Sequence, residues 1–243
     1  MAKKIYITSL KGGTGVTTFA VGLGLALAEA GERTLIVDGD SLCAGALLVG
    51  GLQNMQVFTL ADYEKGACRA KQCIIPHPQT QNLGFMPSLG LKNPTAADLA
   101  VTDVDGLFDY VLLDKISKNR ADCALIVTEP YLPSLKCADV CRSALSDGGI
   151  KEIGLVVNNL SGGQIISGEI MGAQEISALL RLPLKAVIPE DLSLPCGRCK
   201  KTTQRAFRLA AAAISGKRQE YCNVLSSYGG LGGAIKRKMR EKI

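Results

Sequence analysis

Seven short apolar runs alternate along the chain with segments of helical pattern, and this alternation limits the fold more than any other feature. The runs are KKIYITSL, RTLIVDGD, LGFMPSL, DYVLLD, CALIVTEP, IGLVVNN and LKAVIPED. Apolar runs of this length are typical of parallel strands covered on both faces. Helices are predicted at about residues 17–31, 94–107, 133–147, 172–181 and 202–215, while residues 41–82 show no clear pattern. The sequence therefore predicts an α/β fold with a single doubly wound, mostly parallel sheet.

Length and composition narrow the class of protein further. A chain of 243 residues has room for one sizeable domain with a full core. No uninterrupted apolar run approaches the roughly 20 residues that a membrane span needs. The start MAKKIYITSL is too short an apolar segment for a secretory signal, and the nine cysteines are scattered rather than clustered. We therefore expect a cytoplasmic protein whose cysteines are thiols.

The segment KGGTGVTT, residues 11–18, lies between the first predicted strand and the first predicted helix. A glycine-rich turn in this position lets backbone N–H groups converge on phosphate oxygens. The N-terminus of the following helix adds its positive dipole. A short glycine motif alone is weak evidence, but the strand–turn–helix context makes it specific. The segment predicts a phosphate-binding loop.

Together with LIVDGD, YVLLD, LVVNN and AVIPED, this loop resembles the MinD/ParA family of deviant Walker ATPases over about residues 1–215. The resemblance implies a P-loop NTPase-like sheet, ATP or ADP bound with Mg²⁺, and a homodimer that encloses the nucleotide. It further implies a role in positioning the division septum.

The resemblance also assigns roles to individual residues. Lys11 corresponds to the signature lysine that reaches phosphates across the dimer, and Asp40 to a carboxylate near the attacking water. Magnesium would be held by Thr17, Asp38 and Asp114. The other nucleotide-binding positions are Gly12, Gly13, Thr14, Gly15, Val16 and Thr18 at the phosphates, and Asn158, Pro189, Glu190 and Asp191 at the adenine. For Asp38 and Asp40, the alternative to these roles is a purely structural one.

Three departures from the family pattern concern hydrolysis. Val16 stands where the family has a second lysine, whose charge stabilises the β and γ phosphates. Losing such a contact typically costs roughly 2–4 kcal/mol of transition-state stabilisation. Only seven residues separate Asp114 from Asp122, so the second switch region is predicted to be deleted. Lys115 directly follows Asp114, and the question is whether it brings a positive charge toward the site. Neighbouring residues on a strand point to opposite faces, which argues against this replacement. We expect hydrolysis to be slow or absent.

Cys196 and Cys199 have the C-x-x-C spacing of ligands for zinc or an iron–sulfur cluster. A second such pair is missing from the sequence, although Cys137 and Cys141 have a helical spacing that suits two further ligands. The alternative is reduced structural thiols. We favour that alternative and expect no stoichiometric metal.

Positive charge is concentrated toward the C-terminus. Residues 198–218 contain seven Lys or Arg and no acidic residue, which suits either non-specific binding of DNA or a solvated helix face. Residues 231–243 carry five Lys or Arg against Glu241, a charge of +4 out of +6 for the chain. In the same segment Leu231, Ile235, Met239 and Ile243 form an apolar stripe. This tail resembles the membrane-targeting helix of MinD proteins, with a frayed basic terminus as the alternative.

Three functions remain open on the sequence alone. The first is a MinD/ParA-like nucleotide-binding protein with weakened ATP binding, cytoplasmic and peripheral at the inner face of the membrane. The second is a non-catalytic dimeric scaffold or adaptor for a membrane or a partner ATPase, and the third is a DNA-associated partitioning protein. The predicted organisation is a P-loop domain at 1–225, a Gly/Ser linker at 226–233 and a basic tail at 234–243. No motif in the sequence identifies a partner protein.

Overall fold

The fold is a single eight-stranded sheet with helices on both faces, seen in a computed structural model of the chain. The structure describes residues 1–52, 55, 58–194 and 198–226. The strands are β1 (Lys3–Thr8), β2 (Thr34–Asp38), β3 (Ile75–Pro76), β4 (Leu83–Pro87), β5 (Tyr110–Asp114), β6 (Cys123–Thr128), β7 (Ile153–Leu160) and β8 (Leu184–Pro189). Their order is β3-β4-β2-β5-β1-β6-β7-β8, and β3 alone pairs antiparallel among the strands described. The predicted fold class is confirmed.

Eight α-helices are described. They are α1 (Val16–Glu29), α2 (Gly45–Val49), α3 (Leu60–Glu64), α4 (Pro94–Val104), α5 (Leu132–Asp147), α6 (Gly162–Ile166), α7 (Ala173–Leu180) and α8 (Lys201–Ile214). The five predicted helices correspond to α1, α4, α5, α7 and α8. The stretch that showed no pattern, residues 41–82, holds α2, α3, a 3-10 turn and β3. Elements this short carry too few residues to display a period.

The sheet separates two apolar layers. On one face α1 and α8 cover the centre of the sheet, with the rings of Phe19 and Phe207 6.2 Å apart. On the other face α4 packs over β2, β4 and β5, and α5 and α7 pack over β6, β7 and β8. Tyr6 of β1 contacts both clusters on this second face and stays half-buried.

The gap over β1 is crossed by residues 115–122, which join β5 to β6 without an α-helix. The N–H of Lys115 donates to Ile7 O at 3.0 Å, and the N–H of Asp122 donates to Lys4 O at 2.9 Å. The link therefore runs back along β1 on the face that carries α4, with Ile116 buried in that core cluster. One short 3-10 turn, Lys118–Arg120, interrupts it. The predicted loss of a helical second switch agrees with this path.

Several sequence predictions lie outside the described residues. These are the tail at 234–243, nearly all of the linker, and Cys196. No helix in the described ranges is long and apolar enough to cross a membrane.

Candidate functional site

The loop between β1 and α1 is a glycine-rich turn, and its residues 12 and 13 are exposed. Gly13 and Gly15 have φ values of +79° and +87°, in the left-handed region where residues with a Cβ are strained. No hydrogen bond joins the N–H groups of residues 12–18 to an acceptor in the described part of the chain. Because α1 begins at Val16, the positive end of its dipole faces the same space. Free donors and a helix N-terminus together form an anion-binding loop.

Asn158, at the end of β7, fastens this loop to the sheet. Its side-chain amide donates to Thr14 O at 2.8 Å. A Cβ on Gly15 would lie 2.3 Å from Asn158 Nδ2, so the close approach requires glycine at position 15. Asn158 is predicted from the sequence to lie beside the adenine, and in this structure its amide group is bound to the loop.

Lys11 forms an ion pair within the same chain. Its Nζ lies 2.8 Å from Glu129 Oε2, and the two side chains are 36% and 15% exposed. Ser134 Oγ also contacts this oxygen, at 3.4 Å. The sequence analysis did not single out Glu129. Its position directly after β6 was the available signal, because the carboxyl ends of parallel strands lie at the same edge of the sheet.

Three carboxylates lie at the carboxyl ends of β2 and β5. Both oxygens of Asp38 accept backbone hydrogen bonds, from Asp40 N at 2.9 Å and Ala46 N at 2.8 Å. Asp40 Oδ1 accepts the N–H groups of residues 42 and 43, each at 3.0 Å. Asp38 and Asp40 therefore shape the turn after β2, which is the structural role left open as an alternative.

Asp114 differs from these two residues because its buried Oδ1 has no hydrogen-bond partner in the described chain. Burial raises the pKa of Asp114 to about 6, against the opposing effect of the nearby Thr17 hydroxyl. The charge of Asp38 raises it further, and that of Lys115 lowers it. Burial likewise raises the pKa of Asp38. An unpaired buried carboxylate oxygen beside a threonine hydroxyl is therefore available to a cation.

The donor set fits magnesium rather than a soft metal. Mg²⁺ is usually held by one or two carboxylates together with phosphate oxygens and water. Asp114 and Thr17 supply such a partial set, adjacent to the loop. No group of three or more His, Cys, Asp or Glu side chains that suits a metal occurs among the described residues, so a cage made only of protein ligands is not found there.

Val16 has its side chain in the core. It is 3% exposed and belongs to the apolar cluster under α1. The position therefore provides packing, and it brings no charge to the loop. The region predicted to hold phosphate consequently depends on backbone donors, on the helix dipole and on Lys11.

The residues predicted at the adenine follow β8. Pro189 and Glu190 line a cavity of about 440 Å³, together with Leu160 and Tyr221. Asp191 instead accepts hydrogen bonds from Ser193, Thr203 Oγ1 and Lys200 N. Burial would raise its pKa, but these bonds outweigh burial and lower it. The carboxylate of Asp191 thus holds the loop that leads into α8.

Known proteins resemble the chain in sequence. The protein of Guillardia theta named septum site-determining protein MinD is 32% identical over 209 residues, which cover 79% of this chain and 76% of the relative. A family profile described as AAA domain matches residues 2–143, more than half of the chain. The chain belongs to the MinD/ParA family of P-loop ATPases.

Solved structures of family members share the fold of this MinD/ParA protein. MinD in the MinC:MinD cell division complex of Aquifex aeolicus superposes with a TM-score of 0.82 at 24% identity, covering 89% of this chain and 97% of that one. MinD of Pyrococcus horikoshii, solved with Mg-ADP, gives a TM-score of 0.77 at 25% identity and covers 88% and 96%.

The sequence did not establish where Lys115 lies or whether the cysteines of this family member come together as metal ligands. Lys115 adopts a φ of +58° and is exposed on the α4 side of the sheet. Cys199 packs against the core under α1 and α8, whereas Cys141 lies in the cluster on the opposite face. Cys141 and its helical neighbour Cys137 therefore do not share a ligand set with Cys199 within one chain.

The basic stretch of this protein is largely engaged in ion pairs. Arg208 pairs with Glu29 at 3.1 Å and Lys217 with Glu32 at 2.8 Å. Arg218 contacts Glu220. Within α8 only Arg208 is paired in the described chain, since Lys217 and Arg218 follow the helix and Lys201 and Arg205 form no ion pair there. Binding of DNA stays a prediction.

Proposed function

We propose that this MinD/ParA family member binds adenine nucleotide with magnesium at residues 11–18, and hydrolyses ATP slowly or not at all. The observation that carries the proposal is the row of N–H donors at residues 12–18, which have no acceptor in the described part of the chain and lead into the first turn of α1. The Oδ1 of Asp114, which is buried and has no hydrogen-bond partner in the described chain, gives that row a site for a cation.

Each end of the nucleotide has residues suited to it. Phosphate oxygens would accept the loop N–H groups, and Thr17 and Asp114 would hold Mg²⁺, which neutralises phosphate charge when bound. The cavity beside Pro189 and Glu190 would receive the base. The relative from Pyrococcus horikoshii binds Mg-ADP, which supports this arrangement by family membership.

Weak hydrolysis follows from two features of the same region. Val16 contributes no charge at the γ-phosphate, and its side chain is buried in the core. The link at 115–122 is bonded to β1 at both ends, so few residues are free to order around a γ-phosphate. Phosphoryl transfer depends almost entirely on positioning and electrostatic stabilisation, and both are reduced here. We expect little preference for ATP over ADP.

Calorimetric titration with ATP and with ADP, each with Mg²⁺, tests the proposal, followed by phosphate release. We expect weak binding of both nucleotides and turnover near the detection limit. Turnover equal to that of an intact MinD measured in parallel contradicts the slow-hydrolysis proposal. A complete lack of nucleotide binding instead supports the scaffold or adaptor function.

In the cell, we propose a role in septum-site positioning as a homodimer at the inner membrane face, together with a partner protein. The proposal draws on the relatives named for septum-site determination and on the family member solved with MinC. DNA partitioning is the competing role, and sedimentation with DNA against liposomes separates the two.

The sequence of residues 231–243 supplies the proposed membrane anchor. Each Lys or Arg near an anionic leaflet contributes roughly 1 kcal/mol, and a few apolar side chains add a similar amount. One tail is therefore marginal, and a dimer gains by avidity. We expect salt-sensitive binding to anionic liposomes that is lost when residues 231–243 are deleted. A variant with serine at Leu231, Ile235, Met239 and Ile243 keeps every charge and separates the apolar contribution. Equal binding by the truncated protein excludes the tail as the anchor.

A further inference from the structure

A second cavity, of about 250 Å³, lies on the α4 side of the sheet, between the loops that follow β2, β4 and β5. Its lining residues are Tyr6, Gly39, Ser41, Ser88, Leu91, Pro94, Lys115, Ile116, Ser117 and Lys118. The volume is about eight times the ~30 Å³ share of one water molecule in the liquid. The cavity is distinct from the phosphate loop, none of whose residues is in this lining.

Two buried hydroxyl groups in the lining have no partner. Ser88 is fully buried and Ser117 is 8% exposed. Within the described chain, neither Ser88 Oγ nor Ser117 Oγ makes a hydrogen bond. A buried hydroxyl without a partner costs free energy, so such groups are normally satisfied by protein, water or ligand. Both hydroxyls belong to the wall of the same cavity.

The charged side chains that line the cavity are all positive. Lys115 and Lys118 contribute two ammonium groups, and no carboxylate is among the lining residues of the described chain. Of the carboxylates near the cavity, Asp38 accepts two backbone N–H groups, and neither Asp38 nor Asp114 is among the lining residues. Hydroxyl donors and ammonium groups around one small space are the groups that bind an oxyanion.

The short link at 115–122 creates this arrangement. An α-helix over β1 would occupy the space beside Tyr6, whereas the link leaves Tyr6 half-buried. Lys115 and Ser117 are held at φ values of +58° and +56°, and both line the cavity.

We propose that this cavity is a binding site for a small oxyanion, a phosphate or a short carboxylate, held by the hydroxyls of Ser88 and Ser117 and by Lys115 and Lys118. The proposal goes beyond nucleotide binding and does not require it.

The test compares inorganic phosphate and acetate, each against potassium chloride at equal ionic strength, as the change in melting temperature of the full chain. Gly15→Ala disables the phosphate loop, and Ser88→Ala and Lys118→Gln alter the cavity. We expect phosphate or acetate still to stabilise the Gly15→Ala variant, although phosphate can stabilise the wild type further through the phosphate loop. Ser88→Ala and Lys118→Gln should each weaken the effect at least tenfold in anion concentration. Without anion, Ser88→Ala should melt no lower than the wild type, because the lost hydroxyl had no partner.

Two outcomes overturn the proposal. One is stabilisation that survives Ser88→Ala but disappears in Gly15→Ala, which assigns the anion to the phosphate loop. The other is equal stabilisation by potassium chloride, or none by any salt. Crystals soaked in tungstate give a check that does not depend on variants folding. Anomalous density within hydrogen-bond distance of Ser88 and Ser117 supports the site, and water alone in the cavity contradicts it.

Discussion

The phosphate loop at residues 11–18 and the link at residues 115–122 follow the neighbouring strands β1 and β5, yet they use their backbones in opposite ways. In the loop, the residues with positive φ are Gly13 and Gly15, and the N–H groups of residues 12–18 are left unpaired. In the link, the residues with positive φ carry side chains, and the first and last N–H groups are bonded to β1. The loop offers donors to a ligand, whereas the link uses its donors to hold itself to the sheet.

This difference separates binding from hydrolysis. Backbone donors at a helix N-terminus suffice to hold a phosphate group. Transfer of that group needs further charges and a segment ordered around the γ-phosphate. We propose that in this protein the first set of groups is complete, and that the second is reduced by Val16 and by the short link. A chain of this fold would then keep phosphate binding and lose phosphoryl transfer.

The largest effect on nucleotide binding is expected from a substitution that distorts the phosphate loop. Gly15→Ala places a Cβ 2.3 Å from Asn158 Nδ2 in a backbone with φ of +87°. Strain at such a position typically costs about 1–3 kcal/mol. We expect nucleotide binding to fall more than about tenfold, a loss worth about 1.4 kcal/mol, as measured by calorimetry. Gly12→Ala is the matched control, because a Cβ there meets no atom within 4 Å. Equal losses in both variants would show that Asn158 does not constrain the loop.

The next effect compares two carboxylates of the site. The pKa of Asp114 is raised by burial from 3.8 to about 6. Between these two pH values the folded protein holds a proton that the unfolded chain releases. Its contribution to stability is present below about pH 4 and is lost as the pH rises through about 6. At pH 7.5 without nucleotide, Asp114→Asn should therefore raise the free energy of unfolding by at most about 3 kcal/mol. The gain should vanish near pH 4.

Asp38→Asn serves as the counterpart, with the opposite sign expected. Both Asp38 oxygens accept backbone N–H groups, and an amide can accept with only one of its two polar atoms. We expect a loss of about 1–3 kcal/mol in the free energy of unfolding. Urea unfolding of both variants from pH 4 to pH 8 measures the pair. A gain for Asp38→Asn, or a loss for Asp114→Asn at pH 7.5, contradicts this division of roles.

Sequence reasoning was strongest where a local pattern determines the structure. The seven apolar runs and the loop at 11–18 are continuous segments, so the fold and the anion-binding turn were predictable. The missing helix after Asp114 was predictable too, because seven residues cannot hold one and still return along the sheet. In contrast, the pair between Lys11 and Glu129 joins residues 118 positions apart. The position of Glu129 directly after β6 indicates the edge of the sheet where it lies, but the pairing with Lys11 depends on tertiary packing.

A smaller effect is expected from restoring charge to the loop. Val16→Lys provides an ammonium group beside the phosphates, but its chain must leave a core position that is 3% exposed. We expect nucleotide to bind up to about tenfold more tightly, with a modest cost in stability. Turnover should stay below that of an intact relative, because the link at 115–122 is unchanged. Val16→Met is the control, with similar length and no charge. Full recovery of phosphate release would show that the link is not limiting.

The smallest effect on stability concerns the ion pair at Lys11. With side chains 36% and 15% exposed, the pair between Lys11 and Glu129 is partly solvated, and Glu129→Gln should change the free energy of unfolding by about 1 kcal/mol or less. The functional effect should be larger. If Lys11 reaches across a dimer to phosphate, it must first leave Glu129, and removing that charge favours release.

We therefore expect Glu129→Gln to strengthen the proposed nucleotide-dependent dimerisation, measured by analytical ultracentrifugation, with little change in the unfolding curve. Glu32→Gln is the matched control, since Glu32 pairs with Lys217 at the same distance, 2.8 Å, away from the loop. That variant should leave dimerisation unchanged. Weaker dimerisation in Glu129→Gln would contradict this expectation. It would mean that the ion pair positions Lys11 for its contact with the facing subunit and so favours the dimer.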